Sequence, residues 1–185
     1  QGRYDGSSKF QPENRWVFYW GTSAGWRISE EAFMKNLTFV DELKLRASYG
    51  SVGNQSGVDR YDGAQLYNFT PSGGALIGNG KISYVDTNGK LPSTDRTWER
   101  IHNYNIGLDF GFLRNRLTGT AEIFWKKSDN MLIDVIYPGI LGDKAPTANY
   151  GAFKAHGWEG MINWSDKIGK VNYHIGGTFT YTTNE

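Results

Sequence analysis

The chain has 185 residues, in which 20 Lys and Arg balance 19 Asp and Glu, and it contains no cysteine. The balanced charge excludes a basic field that would recruit nucleic acid, and the missing thiols exclude disulfide scaffolds, Cys-based zinc sites and thiol nucleophiles. No run of about 18 apolar residues exists, so the sequence contains no membrane-spanning helix.

Alternation of apolar and polar residues defines the predicted strands, because successive side chains of a strand point to opposite faces. A stub at Arg3 and Tyr4 leads into a polar loop from Asp5 to Arg15. A strand then covers Trp16 to Ile28. Ser29 with acidic residues after it resembles a helix cap, which predicts a short helix through Ala32, Phe33 and Met34.

The next strand runs from Glu42 to about Val52 and precedes the longest predicted connection, Gly53 to Asp95. This connection contains the turn dipeptides Asp62-Gly63, Gly73-Gly74, Asn79-Gly80 and Asn88-Gly89. Asp86, Asn88 and Gly89 match a calcium loop only in part, because a further acidic ligand and a distal Glu are missing. A hairpin turn at Asn88-Gly89 is therefore predicted.

The clearest alternation lies in the predicted strand from Trp98 to Phe112. One face carries Tyr104, Ile106, Leu108, Phe110 and Phe112, and the other carries Asn103, Asn105, Gly107, Asp109 and Gly111. A tight turn from Leu113 to Asn115 leads into a strand from Arg116 to about Ile136. About ten residues at roughly 3.3 Å each, tilted near 45°, cross a hydrocarbon layer about 25 Å tall, so both pattern and length predict a membrane-spanning strand.

A medium loop from Tyr137 to Ala148 is followed by strands from Tyr150 to Trp164 and from Val171 to Thr182, joined by a turn from Ser165 to Lys170. Long and short connections thus alternate, as outer loops and periplasmic turns do in outer-membrane barrels. Aromatic residues gather near the strand ends, where membrane girdles lie. The residues predict an all-β, antiparallel up-and-down meander that forms part of a transmembrane β-barrel.

A series of sequence blocks points to a particular family. The most specific block is Leu43-Lys44-Leu45-Arg46-Ala47-Ser48-Tyr49-Gly50, followed by Gly53-Asn54-Gln55. The other blocks are, in chain order, Arg3 to Phe10, Ser23 to Glu31, Thr97 to Glu99, Asn105 to Phe110, Asp129 to Leu132, and Gly157 to Glu159. Together they resemble the SusC/RagA-like branch of the TonB-dependent outer-membrane transporters.

This resemblance implies that residues 1–185 are an incomplete segment, without the plug, of a transporter barrel of about 22 strands. It implies a Gram-negative outer-membrane location and TonB-dependent uptake of glycan oligosaccharides or peptides. The implied partners are outer-membrane lipid, the TonB system acting through the absent plug, a SusD-like surface lipoprotein, and the substrate. No cofactor, metal or catalytic residue is expected, and the expected function is not enzymatic.

The polar residues of the predicted strands are candidates for the wall of an aqueous lumen. They are Lys44, Arg46, Glu99, Asn105, Asp109, Glu122, Lys126 and Glu159. A glycosidase would use two such carboxylates as acid and base. Because these carboxylates are spread over several strands, charge balance with the Lys and Arg residues is the better interpretation.

Other interpretations remain open from the sequence. His102, His156 and His174 lie on different segments without metal-ligand spacing, which favours histidines at an interface or in the lumen. The chain could be a soluble carbohydrate-binding β-sandwich whose Trp residues are sugar platforms. It could also be a complete eight-stranded barrel that serves as an anchor or an enzyme.

Overall fold

A computed structural model describes residues 1–185, apart from the side chain of Leu141. Its strands are β1 (Gly2–Gly6), β2 (Trp16–Arg27), β3 (Val40–Asn54), β4 (Tyr67–Thr70), β5 (Leu76–Ile77), β6 (Gly80–Lys81), β7 (Tyr84–Thr87), β8 (Glu99–Phe112), β9 (Leu117–Asp134), β10 (Thr147–Ile168) and β11 (Val171–Asn184). Short 3₁₀ helices cover Pro12–Asn14, Ile28–Glu30 and Gly139–Leu141. Among the described residues, no helix is both long enough and apolar enough to cross a membrane.

The long strands form one antiparallel sheet, which we call the main sheet, in the order β1-β2-β3-β8-β9-β10-β11. Each strand pairs with the long strand that precedes it along the chain. The small strands β4 to β7 form two separate hairpin-like pairs inside the connection between β3 and β8. The predicted all-β, up-and-down antiparallel meander is confirmed, and within the described residues the sheet is open rather than closed into a barrel.

The cross-strand register sorts the side chains of the main sheet into two faces. Leu108 lies opposite Leu45 on β3 and Ala121 on β9, and Ile123 lies opposite Trp158 on β10. We call this side the apolar face, and no second layer covers it in the part of the chain that the structure describes. Ile123 and Trp158 are 49% and 48% exposed, so large apolar side chains on this face have no protein packed over them.

The hairpin between β10 and β11 is tighter than predicted. Ser165 to Ile168 stay in the ladder and pair with Val171 to His174, so the turn is reduced to Gly169 and Lys170. Gly169 has a φ of +61°, which the first position of a two-residue hairpin turn requires and which glycine adopts without strain. Because the turn has only two residues, β10 and β11 stay paired up to Ile168 and Val171.

The predicted short helix through Ala32, Phe33 and Met34 is wrong. The structure has a 3₁₀ helix at Ile28–Glu30, with Ser29 inside it and no side-chain hydrogen bond at its N-cap, followed by turns. So short a segment gains too few hydrogen bonds to offset the cost of helix nucleation. Local cap-like composition was therefore not enough to form an α-helix.

The predicted hairpin turn at Asn88-Gly89 is also wrong. Gly89 does turn the chain with a φ of +76°, but β7 pairs with β4 upstream, and Lys90 forms an isolated parallel bridge with Lys144. The backbone of β7 therefore forms its hydrogen bonds with β4. The turn at Gly89 then leads to Lys144 in the connection between β9 and β10.

A small buried core lies where the loops pack against β2 and the start of β8. It consists of Phe10, Val17, Tyr19, Val58 and Trp98. The Trp98 indole N–H donates to the Arg15 carbonyl at 3.1 Å, and its ring lies 5.0 Å from that of Phe10. Through Trp98, this core packs the start of β8 against β2 and against the connection that precedes β8.

The two-faced sheet leads to a prediction for a matched pair of arginine substitutions in the full-length barrel. Leu108→Arg should lower the free energy of unfolding by about 2–4 kcal/mol, because it places a charge near the middle of the apolar face. Asn105→Arg, on the opposite face of the same strand, should be tolerated because that face is polar. Urea titration of the refolded protein measures both, and equal destabilisation would contradict the assignment of the faces.

Candidate functional site

The structure places all of the predicted lumen residues on the face opposite the apolar face, which we call the polar face. Lys44 and Arg46 lie on β3, Glu99, Asn105 and Asp109 on β8, Glu122 and Lys126 on β9, and Glu159 on β10. The register puts Lys44 beside Asp109, and Glu122 beside both Gly107 and Glu159. That this face lines a lumen stays a prediction.

Arg46 is the centre of an ion-pair network that crosses three neighbouring strands. Its Nε lies 3.2 Å from Asp109 Oδ1 on β8, and its Nη2 lies 2.6 Å from Glu122 Oε2 on β9. The guanidinium group extends over Gly107, where a Cβ atom would lie only 2.6 Å from Arg46 Cζ. Gly107 thus leaves the space through which an arginine on one strand reaches a carboxylate two strands away.

The other predicted residues are arranged more loosely. Glu99 accepts a hydrogen bond of 3.0 Å from the Asn54 side-chain amide. Glu122 and Glu159 are direct cross-strand neighbours, so two carboxylates face each other next to a single guanidinium. Within the described residues, Lys44, Lys126 and Glu159 form no ion pair. The polar face therefore contains the Arg46 network and, beside it, charged side chains that form no ion pair among the described residues.

Sequence reasoning missed a second charged cluster, in the connection between β3 and β8. The Asp62 carboxylate accepts hydrogen bonds from Arg96 Nη1, from Lys90 Nζ at 2.7 Å and from the Asp59 backbone N–H at 3.0 Å. Arg96 also donates from Nε to the Thr147 carbonyl of β10 at 2.9 Å. We call Asp62, Lys90 and Arg96 the Asp62 cluster, and it connects the long connection to the start of β10.

Asp62 and Arg96 are both buried. Burial by itself raises the pKa of Asp62, but the hydrogen bonds from Lys90, Asp59 and Arg96 and the charge of Arg96 outweigh it and hold that pKa below its usual range. In the sequence, the only signal was the Asp62-Gly63 turn dipeptide, which predicted a turn and said nothing about a buried ion pair.

The same connection is joined to the loop between β9 and β10. The Leu91 N–H donates to the Lys144 carbonyl at 2.9 Å, and the Lys144 N–H donates to the Gly89 carbonyl at 3.0 Å. The Thr87 hydroxyl donates to Asp143 at 3.0 Å. The two longest connections at this end of the sheet therefore form one hydrogen-bonded unit, which we call the loop unit.

The histidines remain separate, with His102 on β8, His156 on β10 and His174 on β11. Within the part of the chain that the structure describes, no group of three His, Asp or Glu side chains is placed to hold a metal ion. What this site offers chemically is charge, hydrogen bonds and an extended two-faced surface.

Comparison with known proteins places these features in a family context. A family model described as TonB dependent receptor-like, beta-barrel, matches residues 1–185. The chain is 33% identical over 187 aligned residues to TonB-dependent receptor P26 of Formosa agariphila, covering 100% of this chain. It is 32% identical over 185 residues to TonB-dependent receptor SusC of Bacteroides thetaiotaomicron, covering 99% of this chain.

Solved structures share the fold over the whole chain. The RagAB peptide importer in its closed-closed state superposes with a TM-score of 0.83 at 24% identity, and covers 100% of this chain and 20% of that one. The RagAB peptide transporter gives a TM-score of 0.80 at 25% identity with the same coverage. The chain spans 18% of the length of the relatives P26 and SusC.

The Arg46 network leads to a prediction about stability. Arg46→Met should lower the free energy of unfolding of the full-length barrel by about 1–3 kcal/mol, because Asp109 and Glu122 would lose the group that satisfies them. Lys44→Met is the matched control, since Lys44 lies on the same face and strand without an ion pair, and it should change stability little. Urea unfolding measures both, and similar losses would contradict a specific role for the network.

The Asp62 cluster leads to a prediction about pH. Because the pKa of Asp62 is lowered in the folded protein, its stabilising effect is complete above the unfolded value of about 3.9 and is lost as the pH falls through the lower folded value. Hydrogen exchange of residues 89–97, corrected for intrinsic rates, should therefore rise on acidification below about pH 4. In the Asp62→Asn variant exchange should already be fast at neutral pH; an unchanged acid transition in that variant would assign it to another group.

Proposed function

Because this chain belongs to the TonB-dependent receptor-like β-barrel family, we propose that residues 1–185 form part of the barrel wall of a nutrient transporter in the Gram-negative outer membrane. The observation that carries this proposal is the pair of unlike faces on one sheet. One face presents exposed apolar side chains along membrane-length strands, and the other presents the Arg46 network. A bilayer on one side and a wet lumen on the other would satisfy both faces.

The competing soluble sandwich requires a second layer over the apolar face. Two sheets of a sandwich pack about 10 Å apart, with the side chains of their inner faces interdigitated. Ile106 is 48% exposed and Trp125 is 43% exposed on this face, and no second sheet of comparable size is present among the described residues to cover them. A barrel wall accounts for these exposed apolar residues without a second sheet, because lipid would cover them.

In the proposed transporter, the segment contributes strands to a larger barrel of about 22 strands. The outermost strands β1 and β11 would pair with further strands, because unpaired backbone groups cost several kcal/mol in lipid. The polar face would line the lumen, so that Lys44, Arg46, Glu99, Asn105, Asp109, Glu122, Lys126 and Glu159 face water or the plug. Energy would come from the TonB system through a plug, and this chain would perform no chemistry.

The loop unit would lie on the outer side of the membrane, because the short turns after β8 and β10 lie at the opposite end of the sheet. We propose that it contributes to the outer vestibule and that a SusD-like surface lipoprotein works with the transporter. Oligosaccharides and peptides are the substrate classes. The name of the RagAB peptide transporter, which is 25% identical, supports peptides, and the likeness to SusC supports a TonB-dependent receptor.

The transport proposal is tested in cells that lack the full-length protein. Uptake of labelled oligosaccharides or of labelled peptides should fall in the deletion strain, return on complementation, and depend on TonB. The complemented strain without TonB is the matched control, because the barrel is present but cannot be energised. Unchanged uptake of both classes in the deletion strain, or full uptake without TonB, would contradict the proposal.

The proposed orientation predicts where protease can cut in intact cells. A protease site inserted at Ser72 to Gly74, in the exposed part of the loop unit, should be cleaved, because that connection would face outward. The same site inserted at Leu113 to Asn115, in the turn after β8, should be cleaved only after the cells are lysed. The reverse result would invert the orientation.

A further inference from the structure

Two adjacent rows of side chains cross the apolar face near the end that carries the long connections. Tyr49 on β3, Tyr104 on β8 and Trp125 on β9 are direct cross-strand neighbours, and we call them the aromatic row. The rings of Tyr49 and Tyr104 lie 4.9 Å apart. Aromatic side chains of this kind collect at the boundary between hydrocarbon and headgroups.

Two residues further along each strand, about 7 Å away, lies a row of basic side chains. His102 is the cross-strand neighbour of Lys127, and Lys127 is the neighbour of Lys154. We call these three residues the basic row. Because side chains alternate along a strand, the basic row lies on the same face as the aromatic row and not on the polar face.

The two lysines lie directly opposite each other, and only Lys127 has an ion-pair partner among the described residues. Like charges directly opposite each other on an antiparallel ladder destabilise it. Lys127 Nζ lies 2.9 Å from Asp129, which also lies 4.0 Å from His102 Nε2. Among the described residues, Lys154 has no ion-pair partner, and its side chain is exposed. An anion between the two ammonium groups would relieve this repulsion.

The height of the basic row agrees with the edge of a bilayer. From Phe112, beside the short turn, to His102 the strand extends about 34 Å, which corresponds to about 25 Å along the membrane normal at a tilt near 40°. The apolar band of an outer-membrane barrel is also about 25 Å tall. The basic row would thus reach the level of the lipid headgroups, where a lysine can meet an anion without entering hydrocarbon.

We propose that the basic row binds the phosphate group of an anionic lipid in the outer leaflet of the membrane. Lys127 and Lys154 donate charge-assisted hydrogen bonds to the phosphate oxygens. Asp129 positions Lys127, and the Tyr49 hydroxyl lies 2.9 Å from His102 Nδ1 and holds that ring at the end of the row. The aromatic row packs against the part of the lipid below the phosphate.

This inference rests on the proposed function, because it requires the apolar face to contact a membrane. The test uses the full-length protein in phosphatidylcholine vesicles that contain either diphosphoryl lipid A or the same lipid without its phosphates. Binding of the phosphorylated lipid should weaken at least about tenfold in the Lys127→Gln, Lys154→Gln double variant, because two charge-assisted contacts are lost. The Lys127→Arg, Lys154→Arg variant should retain binding, since it keeps both charges.

Lys44→Gln with Lys126→Gln is the matched control, which removes two lysines from the polar face and should leave binding unchanged. Inorganic phosphate added at equal concentration should not displace the lipid, because it lacks the part that contacts the aromatic row. Equal binding of the lipid without phosphates, equal binding by the Gln double variant, or an equal loss in the control would overturn the proposal. Failure of the proposed function is distinguished by cell fractionation, where the protein would be absent from the outer membrane.

Discussion

The strict alternation of side chains along paired strands is the constraint on which the rest of this structure depends. The ladder between β3 and β8 runs from Asn54 to Glu42 without a register shift, and that between β8 and β9 is uninterrupted over its paired residues. Because the side-chain period is two, a slip by one residue would move Arg46 onto the apolar face and Leu45 onto the polar face. Among the described residues, register shifts occur only near the strand ends, at Val40 to Glu42 and at Ala148 to Phe153. They therefore do not disturb the Arg46 network, which lies between them.

The two faces solve different physical problems with neighbouring residues. On the polar face, charge must be balanced across strands, and Arg46 does so because Gly107 leaves the space through which it reaches Glu122. On the apolar face, large side chains remain exposed, and a lipid environment removes the cost that water would impose on them. The basic row lies on the apolar face, at the end of the sheet that carries the long connections.

The loop unit is held together by polar contacts, while large apolar side chains on it, such as Phe69 and Ile77, remain exposed. Arg96 links Asp62 to the Thr147 carbonyl, and backbone hydrogen bonds join the segment around Gly89 to Lys144. These contacts join the two connections into one hydrogen-bonded unit. Removing either partner of this buried ion pair would be strongly destabilising, because the other charge would be left buried and uncompensated.

The sequence by itself determined the long strands, their two faces and the family, because a period of two is a local property and the family blocks are contiguous. It could not show that Arg46 bridges Asp109 and Glu122, that Asp62 pairs with Arg96, or that Lys127 lies beside Lys154. Arg46 and Asp109 are 63 positions apart. Such contacts depend on the register between strands and on how long connections fold back. The register and the path of the connections are set by the free energy of the whole sheet, so they cannot be read from any single segment.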